Sequence, residues 1–285
     1  MSMQEITIYH SPDADDAFMF YGLVSGAITY PGFTFRHDLA DIESLNQKAL
    51  RGELDVTAVS VHAFSKLHEH YAILSAGASM GGENYGPRLI AKSAINLSDG
   101  VRRRLAIPGL MTSANLALSL YLHQHGIKAD LVPVHFDQVF SAVASGEVDA
   151  GVVIHEGQLT LEREGFTLVL DLGKWWWEKH QLPLPLGINV VKRSLGAEAL
   201  KAIGIVLKGS IIYSLEHRAQ ALDYALSYGR GLSRADADTF VGMYVNDYTV
   251  DLTDKGRKSI ELFLEEGFLA GIISERPRIE FVTIE

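Results

Sequence analysis

From residue 5 to residue 192 the chain alternates short apolar runs with longer stretches whose apolar residues recur every three or four positions. The runs "EITIYHS", "FTFRHD", "DVTAVSVH", "YAILSAG", "PRLIAK", "RLAIPG", "DLVPVHF", "DAGVVIH", "FTLVLDLG" and "GINVVKR" are rich in β-branched residues and bounded by turn residues, which predicts strands. Stretches such as 56–59 and 152–154 are nearly continuous apolar runs, as expected of sheets covered by helices on both faces. Strands alternating with helices predict an α/β protein with a mainly parallel sheet. From about residue 196 the pattern becomes helical, with Leu200, Ile203, Leu207, Ile211 and Leu215 at helical spacing. Two further helices follow, with Ser233 and Asp254 as expected N-caps.

The pattern also echoes itself. "ALRGELDVTAVSVH" (49–62) and "AVASGEVDAGVVIH" (142–155) both pass from a helix end through Gly, Glu, an apolar residue and Asp into a strand. Gly52 and Gly146 suit the position just past a helix, and Asp55 and Asp149 the turn before the strand. Two copies of one unit predict two similar lobes.

Composition narrows the function. A length of 285 residues fits about two domains. The net charge of −10 argues against nucleic acid or an anionic membrane as partner, since both require a basic surface. Arg102, Arg103 and Arg104, the one basic cluster, read as a solvated strand entrance. With no cysteine, disulfides and thiolate catalysis are excluded. No stretch approaches the ~20 apolar residues of a membrane helix. "MSMQEITIYHS" shows no secretory leader, so the expected compartment is the cytoplasm.

In such folds ligands gather beyond the carboxyl ends of strands, and four strand exits carry unusual residues. In "YHSPDADDAFMFYGL" Ser11 is an expected helix cap, with Asp13, Asp15 and Asp16 complementing the helix dipole; ligand-facing roles for Ser11 and Asp13 compete. In "VSVHAFS" Ser60 and His62 end a strand, as packing or as ligand contacts. In "AIPGLMTSANLALSLYLHQHG" Thr112 and Ser113 precede a helix whose free N–H groups suit a carboxylate or phosphate, against simple capping. In "VVIHEG" His155 ends a buried strand, where an imidazole suits a general base; Glu156 points to the opposite face. Trp175, Trp176 and Trp177 either wall an aromatic pocket or pack between lobes. No phosphate loop, G-x-S-x-G or H-E-x-x-H is present.

Taken together, "SPDADDAFMFYGL", "LNQKALRGELDVTAVSVHAF", "GENYGPRLIAK", "AIPGLMTSANLAL", "FDQVFSAVASGEVDAGVVIHEGQLT", "LDLGKWWWEKHQLPLPLG" and "MYVNDYTVDL" resemble, in order, the 1,4-dihydroxy-6-naphthoate synthases of the futalosine route to menaquinone. The resemblance covers about residues 6 to 270. It implies a two-lobed periplasmic-binding-protein-like (type II) α/β fold and a lyase without metal or organic cofactor. It further implies that His155 is the base starting fragmentation of cyclic dehypoxanthine futalosine, and that Thr112, Ser113 and Ser60 hold the substrate. "SPDADDAF" and "SVHAF" depart from the family's usual S-P-C-P-N-D-T-F and S-Y-A-A, so Asp13, Asp15 and His62 are this chain's own additions near the cleft.

The resulting expectation is one lobe of residues 1–93 with 188–285, a second of 94–187, and hinges near Lys92 and Gly187. His155 is the expected catalytic residue. Ser60, Thr112, Ser113, Ser11, Asp13 and His62 are expected to bind a small-molecule carboxylate. Two rivals share the fold: a chorismate dehydratase, and a solute-binding protein that performs no reaction.

Overall fold

The computed structural model describes residues 3–83, 85–228 and 233–282. In chain order the first elements are β1 (Gln4–His10), α1 (Ala14–Val24), β2 (Phe33–Leu39), α2 (Ile42–Leu50), β3 (Val56–Ser60), α3 (Val61–Phe64), β4 (Tyr71–Leu74) and β5 (Ser79–Gly81). Next come β6 (Arg88–Ala91), β7 (Arg103–Ile107), α4 (Ser113–Gln124), β8 (Ala129–Pro133), α5 (Val139–Ser145), β9 (Ala150–Val153), β10 (Thr167–Asp171) and α6 (Leu172–His180). The chain closes with β11 (Leu184–Lys192), α7 (Ala197–Glu216), α8 (Arg218–Leu226), α9 (Arg234–Tyr244), α10 (Asp247–Val250), α11 (Thr253–Leu269) and β12 (Phe281–Val282).

Two sheets divide these strands. One runs β12-β4-β11-β3-β1-β2, with β5 also paired to β11; the other runs β10-β6-β9-β7-β8. The internal repeat falls once in each sheet, β3 in the first and β9 in the second. Gly52 and Gly146 both take positive φ, +70° and +78°, where the chain leaves a helix.

Sheet membership corrects the expected boundaries. β6 bonds to β9 and β10, so the first crossing lies ahead of Arg88 and not near Lys92. Gly187 sits inside β11, at an irregularity in its pairing with β5, and the return crossing precedes Leu184. The sheets are also mixed rather than mainly parallel. β11 is antiparallel to β3, β4 and β5, and β6 is antiparallel to β9 and β10. The reason is geometric: a chain that crosses at the cleft end of one lobe enters the next sheet from that end and runs away from it.

Local signals explain some of the helix starts. Ser233 caps α9 by accepting the Asp236 N–H, as expected. Asp254 instead lies in the first turn of α11, which begins at Thr253. The residue preceding α1 is Asp13 and not Ser11, leaving Asp15 and Asp16 in the first turn. Gly22 lets α1 lie directly on α7, since a Cβ there would stand 2.8 Å from the Ser210 Cα.

One hydrophobic core joins the two lobes. It contains Val59 and Ile188 of the larger sheet, Leu105 and Val152 of the smaller, and the inner faces of α4, α6 and α11. Trp176 is fully buried there, edge-on to Phe263 with centroids 5.2 Å apart, and its indole N–H donates to the Ser259 hydroxyl at 3.4 Å. Packing between lobes is thus the role of this tryptophan, and none of the three lines the cleft described below. Trp176→Ala is expected to lower the unfolding free energy by about 3–5 kcal/mol. Trp177→Ala is expected to cost less than half as much; denaturant titration of both variants checks this.

Candidate active site

Between the sheets lies a cleft with an empty volume of about 760 Å³, lined from the larger lobe by Ser11, Asp13, Asp15, Asp16, Ser60 and Asn189 among others. Tyr244 and Phe240 of α9 close one side. The smaller lobe contributes Thr112, Ser113 and Ala114, which open α4, together with Ile154 at the exit of β9. The structure therefore brings Ser11, Asp13, Ser60, Thr112 and Ser113 to one cavity.

Accounting for each hydroxyl proton shows what these residues can offer. Thr112 Oγ1 donates to the Gly109 carbonyl at 2.8 Å and accepts the Asn115 N–H at 3.2 Å, so it is committed to capping α4. Ser113 Oγ donates to the Leu186 carbonyl at 2.6 Å, which spends its single proton. Ser11 Oγ donates to Asp13 Oδ2 at 3.1 Å. Ser60 differs. Its Oγ accepts from Asn46 Nδ2 at 3.1 Å and its N–H donates to Asn46 Oδ1 at 2.8 Å, while its own proton has no acceptor among the described residues.

The Thr112 and Ser113 hydroxyls are thus engaged within the protein. Ser113 and Ala114, the first residues of α4, line the cleft together with Ser60. An α-helix leaves its first N–H groups without intrahelical acceptors and carries partial positive charge there. That part of the cleft suits a carboxylate.

The same cleft carries three carboxyl groups, those of Asp13, Asp15 and Asp16. Burial, then repulsion from Asp16 and Asp13, pushes the Asp15 carboxyl well above the usual carboxylate range. Burial likewise raises Asp16 to about 6, although it accepts the Ser11 N–H at 3.0 Å. Behind them the His10 ring stacks on Phe20 at 4.1 Å and bonds the Ser11 carbonyl at 2.8 Å, which holds the loop in place. Asn189 donates to the Gly77 carbonyl at 2.8 Å, and its Oδ1 is buried with no partner among the described residues.

Two expected site residues stand elsewhere. His62 does not line the cleft; it is buried behind the start of α4, with Nδ1 3.3 Å from the Thr112 carbonyl oxygen. His155 lines a neighbouring depression with Asp137, Phe140 and Arg163 of the smaller lobe and Ser233 and Asp236 of the larger. Its ring lies edge-on to Phe136 and Phe140, and its Nδ1 accepts the Gly157 N–H at 3.0 Å. Extended residues alternate sides. Ile154 faces the cleft, so His155 turns to the next hollow along the lobe boundary.

Sequence reasoning missed Asn46, Asn189 and Tyr244. Asn46 and Asn189 lie in runs that read as ordinary helix and strand. Tyr244 receives a bond from Gln158 Nε2 at 3.1 Å, a contact between lobes that no local pattern announces.

The Asp16 carboxyl yields a pH prediction. Its pKa is raised in the folded state, so the native protein holds a proton that the unfolded chain releases, and stability falls as pH rises from about 4 to about 6. Asp16→Asn removes that loss. Its Tm is expected to exceed the parent's by about 2–4 °C at pH 8 and to match it at pH 4. Thermal melts at both pH values check this, and an equal shift at both contradicts it.

Comparison with known proteins follows the same lines. Residues 6–268 match a family model described as menaquinone biosynthesis. The chain is 34% identical over 282 residues to the 1,4-dihydroxy-6-naphthoate synthase of Thermus thermophilus, covering 98% of this chain and 100% of that one. A crystal structure of an Archaeoglobus fulgidus protein superposes with a TM-score of 0.88 at 43% identity, covering 94% of this chain and 98% of that one. A Candida albicans protein described as having the generic periplasmic binding protein fold superposes with a TM-score of 0.72 at 12% identity, covering 96% and 92%. With a periplasmic-binding-protein-like α/β fold and these relatives across nearly its whole length, the chain belongs to the menaquinone-biosynthesis family that includes 1,4-dihydroxy-6-naphthoate synthases.

Proposed function

We propose that this protein is a carbon–carbon lyase that converts cyclic dehypoxanthine futalosine to 1,4-dihydroxy-6-naphthoate. The observation that carries the reading is the polarity of the cleft. The start of α4, with its helix N–H groups, and the carboxyl groups of Asp13, Asp15 and Asp16 line the same cleft. A substrate bearing an aromatic carboxylate and a sugar-derived portion matches both features, and the apolar walls from Ile154, Leu186 and Phe240 suit its rings.

In this reading Ser60 and the Ser113 and Ala114 N–H groups anchor the carboxylate. His155 takes the proton, and the electron pair left behind drives cleavage of the carbon–carbon bond. With Nδ1 accepting the Gly157 N–H, the neutral ring carries its proton on Nε2, so Nδ1 is the nitrogen that takes the substrate proton, exchanging Gly157 for the substrate. His155 reaches the substrate when the lobes close, because its hollow is walled by both of them. A second reading rests on the observation that Asp16 already lines the cleft, where burial pushes its carboxyl up to about 6. There Asp16 is the base and His155 belongs to the closing surface.

Turnover separates these readings. The purified protein is incubated with cyclic dehypoxanthine futalosine, and separately with chorismate, and products are followed by chromatography. Dihydroxynaphthoate is expected from the first compound alone, with His155→Ala slowed about 10²–10⁴-fold. If His155→Ala keeps its rate while Asp16→Asn loses it, Asp16 is the base. Tight binding without turnover of either compound assigns the protein to solute capture and overturns the proposal.

A further inference from the structure

His62 stands apart from the cleft but touches both residues that open α4. Its backbone N–H donates to Ser113 Oγ at 3.3 Å, and its Nδ1 lies 3.3 Å from the Thr112 carbonyl oxygen. Ser113 Oγ in turn donates to the Leu186 carbonyl at 2.6 Å. His62 follows β3 and Leu186 belongs to β11, both strands of the larger sheet, whereas α4 follows β7 of the smaller one. The Thr112–Ser113 corner of one lobe is therefore gripped on two sides by the other.

The chemistry of each partner fixes the direction of these bonds. A carbonyl oxygen only accepts, so the ring must present Nδ1–H to Thr112. Burial pulls the imidazole down to about 4, so at neutral pH it carries one proton, held at that nitrogen. The Thr112 carbonyl also accepts the Leu116 N–H at 3.2 Å, which uses its second lone pair within α4.

We propose that His62 is a positioning residue of the carboxylate seat: its ring N–H and backbone N–H hold the Thr112–Ser113 corner so that the Ser113 and Ala114 N–H groups face the substrate beside Ser60. This rests on the reading of the cleft as a carboxylate site. His62 and His155 occupy the same place in the internal repeat, and in this account the two lobes use that place differently. The larger lobe's copy grips a helix start, and the smaller lobe's copy faces the hollow between the lobes.

Asparagine and leucine at position 62 test the proposal, because Asn carries an N–H close to the place of Nδ1–H and Leu carries none. His62→Leu is expected to raise KM for cyclic dehypoxanthine futalosine about tenfold with kcat changed less than about twofold, since an anchor away from the reacting atoms serves ground and transition states alike. His62→Asn is expected to return KM to within about threefold of the parent. Hydrogen exchange of the 108–116 segment gives a readout that needs no substrate: faster in His62→Leu, restored in His62→Asn, with the remaining peptides unchanged. Parental KM and parental exchange in His62→Leu overturn the proposal. So does an Asn variant as impaired as the Leu variant. If the parent protein turns over no substrate, the functional reading fails by itself, and unchanged exchange in His62→Leu is then the result that overturns this one.

Discussion

Helix α4 must answer to two lobes at once, and the cleft depends on that constraint. By chain order it belongs to the smaller lobe, because it follows β7. By packing it shares a core with β11, α3 and α11 of the larger one. Its apolar face is fixed by burial, worth about 25 cal/mol per Å² of apolar surface removed from water. Its first turn is fixed by polar contacts with His62 and Leu186. The result is a set of N–H donors placed on the boundary between lobes with little freedom to drift.

Around that fixed point the cleft is organised by charge. Its lining combines the start of a helix with three carboxyl groups. Crowding acids into a buried site is unfavourable for the charged forms, and the raised Asp15 and Asp16 show it. Such strain in a cavity is characteristic of a working site more than of a structural one. The shared core beneath the cleft, with Trp176 at its centre, carries the stability that lets the fold tolerate it.

Much of this was legible in the sequence, and the misses have physical causes. The repeat at 49–62 and 142–155 announced two lobes because a helix end needing positive φ selects glycine at the same step of each copy. Strand direction was not legible, since an apolar run reads the same whichever way it crosses a sheet, so a mainly parallel pattern hides the antiparallel β6 and β11. Thr112 and Ser113 were recognised as a helix start, but whether a hydroxyl spends its proton inward or outward is decided by Gly109 and Leu186, distant or unremarkable in sequence. For His155 the alternation rule separates it from Ile154, but Glu156, which opens a short helical turn, lines the same hollow as His155 and not the opposite face. Which neighbour receives the cleft depends on the register of β9.

In the proposed function, the start of α4 with Ser60 seats the substrate carboxylate. A crystal structure with bound 1,4-dihydroxy-6-naphthoate tests it most directly. Carboxylate oxygens are expected about 2.7–3.2 Å from the Ser113 and Ala114 nitrogens and from Ser60 Oγ. A carboxylate bound instead at Arg163, in the hollow beside His155, would contradict it.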